Sequence, residues 1–140
     1  MAIRLNHTIV PALDGEVSAR WFAELLGMPE PTRFGHFWQV RTANGVDLDF
    51  DTYGDQDGDG DGDGDGDGDD QFTLQHYAFL VSEEEFDLAY ARIRQREIQH
   101  WADPGRTRAG EINRHDGGRG VYFASNDDHL LEIITRPYGG

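Results

Sequence analysis

The sequence predicts an α+β domain built from two tandem βαβββ modules. Three observations carry this. The order of elements repeats along the chain: strand, helix, strands, a polar insertion, then strand, helix, strands. Short segments recur at matching places, with Leu5-Asn6-His7-Thr8 answered by Leu74-Gln75-His76-Tyr77 and Leu48-Asp49-Phe50 answered by Leu131-Glu132-Ile133. The length, 140 residues, suits one domain or two small repeats. The expected boundaries are 1–53 for the first module, 54–70 for the insertion and 71–140 for the second module.

Residues 3–10 alternate Leu5, His7 and Ile9 with Asn6, Thr8 and Val10, a strand pattern that Pro11 is expected to end. Asp14 is placed to cap a helix whose apolar face carries Val17, Trp21, Phe22, Leu25 and Leu26, with Gly27 and Pro29 as its stop. Residues 37–42 and 46–52 read as two strands joined by a hairpin at Asn44-Gly45, where both residues tolerate positive φ. The second of these alternates Val46, Leu48 and Phe50 with Asp47, Asp49 and Asp51, giving one apolar and one carboxylate face.

After the insertion, residues 72–81 read as a strand. Ser82-Glu83-Glu84-Glu85 is a capping box ahead of a helix bearing Phe86, Ala89, Tyr90 and Ile93. Residues 98–101 suggest a short strand and 103–118 a polar loop. Residues 121–124 and 130–135 suggest a closing hairpin around Ser125-Asn126-Asp127-Asp128. Trp21, Phe22 and Phe86 are expected between helix and sheet, and His36, His100 and His129 receive no role.

The formal net charge is −15, but nine aspartates lie in residues 54–70, and removing them leaves −6 on the other 123 residues. All twelve basic residues are Arg. A net acidic body argues against nucleic-acid binding, which needs a basic footprint. No apolar run approaches the roughly 20 residues of a membrane span. No signal-peptide pattern precedes the first strand, so a cytoplasmic location is expected. The chain has no Cys, which removes disulfides, thiolate metal sites and a Cys nucleophile. The insertion is dominated by six Asp-Gly pairs and is expected to be a solvated loop. Asp59, Asp61, Asp63, Gly64 and Asp70 fit calcium-loop spacing, but an Asp-Gly polymer satisfies that pattern automatically.

His7 and His76 occupy matching places in the two first strands, and Glu132 lies in the apolar run Leu130-Leu131-Glu132-Ile133-Ile134. Each His has a structural alternative, a ring satisfied by a backbone carbonyl. Glu132 has another, an ion pair with Arg119 or Arg136. Together, two His and one carboxylate suit Fe(II), Mn(II), Ni(II) or Zn(II). Asp49 is the repeat equivalent of Glu132 and is either a fourth ligand or a solvent-facing carboxylate.

The chain resembles the vicinal oxygen chelate superfamily, which includes glyoxalases, bleomycin resistance proteins and extradiol dioxygenases. The resemblance rests on Leu5-Asn6-His7-Thr8-Ile9-Val10, Gln75-His76-Tyr77-Ala78-Phe79, Gly120-Val121-Tyr122-Phe123 and His129-Leu130-Leu131-Glu132-Ile133. It implies paired modules forming an open, cupped mixed sheet around one divalent metal, held by His7, His76 and Glu132, with no organic cofactor. One departure is visible: Ser125-Asn126-Asp127-Asp128-His129 stands where the family carries Asp-Pro-Asp-Gly-His, and the turn is expected to survive because Asn and Asp tolerate the left-handed region.

The implied chemistry is bidentate binding of a small-molecule substrate through adjacent oxygens. Either a glyoxalase-type isomerase or lyase with Asp49 as base, or an extradiol-type dioxygenase using Tyr122 or His115 as acid/base, would serve. Asn113, His115 and Arg119 are placed to line the pocket mouth. The alternative is a metal-free sequestering protein of the bleomycin-resistance type. A homodimer is the expected assembly, with no nucleic-acid or membrane partner.

Overall fold

The computed structural model describes residues 2–54 and 72–137. Most of the Asp-Gly insertion, and with it the calcium-loop spacing, lies outside the described residues. The chain divides into two compact units, 1–73 and 74–140. Each is a four-stranded mixed sheet with one long helix, the α+β arrangement expected. Among the described residues, no helix is long and apolar enough to cross a membrane.

The first unit runs β1 (His7–Ala12), α1 (Gly15–Leu26), β2 (Thr32–Phe34), β3 (Phe37–Arg41) and β4 (Asp47–Thr52). Its strand order is β1-β4-β3-β2, with β1 parallel to β4 and the other pairs antiparallel. Pro11 does not end β1 but sits inside it, opposite Asp51. An edge strand tolerates Pro because one row of its amides has no ladder to complete. The fully exposed β2 was not separately placed from sequence, because three residues carry no period.

The Asp14 side chain accepts from the Glu16 and Val17 amides, and Gly27 closes α1 in the left-handed region. The buried face is rotated from the expected one. It carries Ser18, Ala19, Phe22, Ala23 and Leu25, whereas Val17 is 56% exposed. Small residues explain the rotation by letting the helix lie close to the sheet. A Cβ on Gly15 would already stand 3.1 Å from the Phe50 carbonyl oxygen. The core is completed by Val10, Val40, Leu48 and Phe50, with Phe22 and Phe50 in edge contact at 4.8 Å.

The Asn44-Gly45 hairpin forms, but as a three-residue loop. The Thr42 amide donates to the Val46 carbonyl and the Gly45 amide to the Thr42 carbonyl, and only Gly45 has positive φ.

The second unit runs β5 (His76–Leu80), α2 (Glu83–Gln95), β6 (His100–Trp101), β7 (Gly120–Ala124) and β8 (Leu130–Ile134), with a 3₁₀ turn at His115–Gly117. Its order, β5-β8-β7-β6, repeats that of the first unit, again with the first strand parallel to the last. The capping box is present: Ser82 accepts from the Glu85 amide and Glu85 from the Ser82 amide. Phe86, Ala89 and Ile93 join Val121, Phe123, Leu131 and Ile133 in the core.

The β7–β8 turn repeats the loop of the first unit. The Ser125 amide donates to the His129 carbonyl, and Asp128 takes the left-handed conformation that Gly45 takes in the other unit. The departure from the family turn is therefore accommodated, with Asp at modest cost where Gly would be free.

Candidate active site

Strand register places the key side chains of the second unit. Glu132 lies opposite Ala78 of β5 and opposite Tyr122 of β7, so it shares a sheet face with Tyr122 and with His76, two residues before Ala78. The opposite face, with Leu131 and Ile133, belongs to the core. The Glu132 side chain is 3% exposed, so an ionised carboxylate there requires a cation or strong donors. Neither suggested Arg supplies one. Arg119 binds Glu83 and Asp87 at 2.8 and 2.9 Å, and Arg136 makes no ion pair among the described residues.

One neighbour of Glu132 is His76, whose Nε2 lies 3.2 Å from Glu132 Oε1. His76 Nδ1 lies 2.9 Å from the Leu130 carbonyl oxygen, which can only accept, so Nδ1 carries the proton. In the neutral ring Nε2 then presents a lone pair to a carboxylate oxygen. Two acceptors facing each other need a proton or a cation to satisfy them. A ring fixed through its far nitrogen by a backbone carbonyl is the usual posture of a metal-ligating His, so this donor set fits a divalent metal. Tyr122 stacks on the His76 ring at 6.0 Å.

In the first unit, His7 begins β1 and is exposed. Its Nδ1 lies 2.8 Å from Asn6 Oδ1, so this ring too is held by Nδ1 and presents Nε2. Asp49 occupies the register position of Glu132 and is 4% exposed, so it is not the solvent-facing carboxylate that alternation allows. Its Oδ1 is buried without a hydrogen-bond partner among the described residues. Asp47, opposite His7, is held by Arg41 at 2.8 Å, and that guanidinium keeps its carboxyl below the usual range. Among the described residues of either unit, no group of three or more His, Asp or Glu is gathered as a ready metal site.

A cavity of about 100 Å³ opens beside Glu132 and Tyr122, lined also by Asn113, His115, Asp116, Arg119, Ile134 and Arg136. A larger depression lies beside α1, but there Arg20 is already held by Glu16 and Glu30. Three of the expected pocket residues differ in how they are used. Asn113 is buried, its amide donating to the Ala102 carbonyl at 2.8 Å while Oδ1 accepts from the His115 amide at 3.3 Å. Arg119 lies over the Phe86 ring at 4.4 Å with its charge met by α2, so it braces the helix. The exposed His115 ring has no side-chain hydrogen bond among the described residues.

A family model described as the glyoxalase/bleomycin resistance protein/dioxygenase superfamily matches residues 4–133. The chain belongs to this superfamily. Among solved structures, this superfamily member is similar to oxidase ChaP-H1, at 50% identity and a TM-score of 0.84, covering 99% of this chain and 100% of that one. Oxidase ChaP-H2 follows at 46% identity and TM-score 0.84, covering 100% and 98%. A lactoylglutathione lyase from Agrobacterium tumefaciens shares the fold at 14% identity and TM-score 0.61, covering 94% and 92%. A search of curated protein sequences found no match.

Two residues of this superfamily member escape sequence reasoning. His129 is 1% exposed, and its Nδ1 accepts the Gln75 amide at 3.0 Å, which pins the residue ahead of His76. The available signal was parity, since His129 shares the core-facing phase of Leu131 and Ile133. Arg136 was weighed only as a partner for Glu132, although it lines the same cavity.

Tyr77 gives a pH test of this packing. Burial pushes its phenol up to about 12 from 10.0. The folded state thus holds the proton more tightly than the unfolded chain. The associated stability is complete below pH 10 and lost as pH rises through about 12. An ultraviolet phenolate titration should show a late component that is lost in Tyr77→Phe. Unchanged titration in that variant would contradict the assignment.

Proposed function

We propose that this protein is a divalent-metal oxidase that binds a small substrate through two adjacent oxygens. His7, His76 and Glu132 would hold the metal. The observation that carries the reading is the His76 Nε2 lone pair set 3.2 Å from the buried Glu132 carboxylate. The identity of about half to the two ChaP oxidases over nearly the whole chain supports the reaction type. A bound metal supplies Lewis-acid stabilisation of a catecholate-like anion and, if redox-active, a route for electrons to O₂.

The chain's own groups do the rest. The Leu130 carbonyl fixes the His76 ring, and the Asn6 side chain fixes the His7 ring. Tyr122, opposite Glu132, offers its phenol as the proton-carrying group beside the substrate oxygens. His115 at the cavity wall is the second acid/base candidate. Exposed Leu5 and Ile9 near edge strand β1, and Leu74 and Leu80 near edge strand β5, support a homodimer. A cytoplasmic location stays part of this reading.

Metal analysis of untagged protein, followed by oxygen uptake with catechol, tests the proposal. Near-stoichiometric Fe(II) and catechol-dependent uptake that His76→Ala abolishes are expected. No occupancy after reconstitution with Fe(II), Mn(II), Ni(II) and Zn(II) would instead favour a metal-free binding protein. One observation favours a second reading: Asp49 Oδ1, buried without a hydrogen-bond partner among the described residues, suits a further ligand or base in a glyoxalase-type isomerase. Ni(II) or Zn(II) occupancy with hemithioacetal turnover would select it.

A further inference from the structure

The charges around the cavity beside Glu132 do not balance in the way its composition suggests. Two guanidiniums line it, from Arg119 and Arg136. Arg119 is neutralised by Glu83 and Asp87. Arg136, among the described residues, has no ion pair and no side-chain hydrogen bond. Its placement is nonetheless specific. A Cβ added to Gly118 would stand 2.5 Å from Arg136 Cγ, so the Arg136 stem lies directly on the Gly118 backbone. One added to Gly117 would stand 4.0 Å from Arg136 Nη2, which puts the guanidinium over the His115–Gly117 turn. That turn holds Asp116 at φ 55 and Gly117 at φ 78, a tight left-handed pair whose residues His115 and Asp116 also line the cavity.

We propose that Arg136 is the anion-recognising residue of this cavity, so that the substrate carries an acidic group, a carboxylate or a comparable anion, besides its vicinal oxygens. This rests on the vicinal-oxygen reading above. The vicinal oxygens would sit at the Glu132 and His76 end of the site, where the metal would be held, and Arg136 on the cavity wall takes the charge of the distal group. A planar guanidinium suits a carboxylate geometrically, and its exposure limits the gain to a modest factor.

The test uses the full chain loaded with redox-inert Zn(II) and calorimetric titration with matched probes. These are 3,4- and 2,3-dihydroxybenzoate, each against its amide, which keeps the ring and the adjacent oxygens but removes the charge. At least one acid should bind about fivefold tighter than its amide. Arg136→Met should erase that preference while leaving amide affinity unchanged, Arg136→Lys should restore part of it, and added salt should weaken it. Equal binding of acids and amides by the unmodified protein overturns the anion site and leaves the vicinal-oxygen reading standing. A preference that survives Arg136→Met overturns the assignment to Arg136. Failure of all four probes to bind overturns both.

Discussion

Glu132→Gln should lower divalent-metal affinity by at least about 100-fold while the fold stays as stable as before. Outer-shell changes alone typically cost 10- to 100-fold, so loss of a ligand oxygen sets that figure as a lower bound. The stability half of the expectation comes from the hydrogen-bond geometry. His76 Nδ1 is committed to the Leu130 carbonyl, which leaves Nε2 an acceptor in the neutral ring. A Gln amide at 132 can donate to that nitrogen across the 3.2 Å now separating it from the carboxylate. The substitution thereby replaces two opposed acceptors by a donor–acceptor pair and removes a buried charge. Metal content after dialysis, catechol-dependent oxygen uptake and a urea midpoint read the three consequences separately. A variant that keeps its metal at wild-type affinity would remove Glu132 from the ligand set. One that loses metal only because it unfolds would make Glu132 a structural residue.

The same register argument explains what could be read in advance. His76, Tyr122 and Glu132 come together because parallel β5–β8 and antiparallel β7–β8 pairing place Ala78 and Tyr122 beside Glu132, and alternation alone puts that Glu on the face opposite Leu131 and Ile133. Alternation and matched motifs are local, so they survive as sequence signals. The Ser82 capping box and the Asp14 cap were legible for the same reason, because each is completed within three residues. What stayed hidden depends on partners distant in sequence. Asn113 lines the cavity as expected, but its amide is committed to the distant Ala102 carbonyl. Arg119 looks like a substrate cation until α2 supplies Glu83 and Asp87. Arg136 gains its position from two glycines at 117 and 118 that no spacing rule connects to it. Alternation leaves Asp49 open between a ligand and a solvated carboxylate, and only the folded structure shows it 4% exposed.

The buried face of α1 differs from the expected one, and this part of the core gives the largest expected effect on stability. Phe50→Ala should cost about 3–5 kcal/mol, whereas Val17→Ala should stay within about 0.5 kcal/mol. Phe50 is fully buried at the centre of its sheet, between Val10 of β1 and Trp38 of β3, with the Phe22 ring edge against it. Truncating it removes transfer energy and opens a cavity that rigid neighbouring strands cannot close. Val17 scores equally well on the apolar stripe of the sequence, but the close approach allowed by Gly15, Ser18 and Ala19 turns it outward. Against a total stability of about 5–15 kcal/mol, the Phe50 loss should unfold much of the first unit at modest urea. Trp21 and Trp38 lie in that unit and Trp101 in the other, so Trp101→Phe leaves fluorescence reporting on the first alone. A midpoint for Val17→Ala as low as that for Phe50→Ala would restore the sequence-predicted face and refute the rotation of α1.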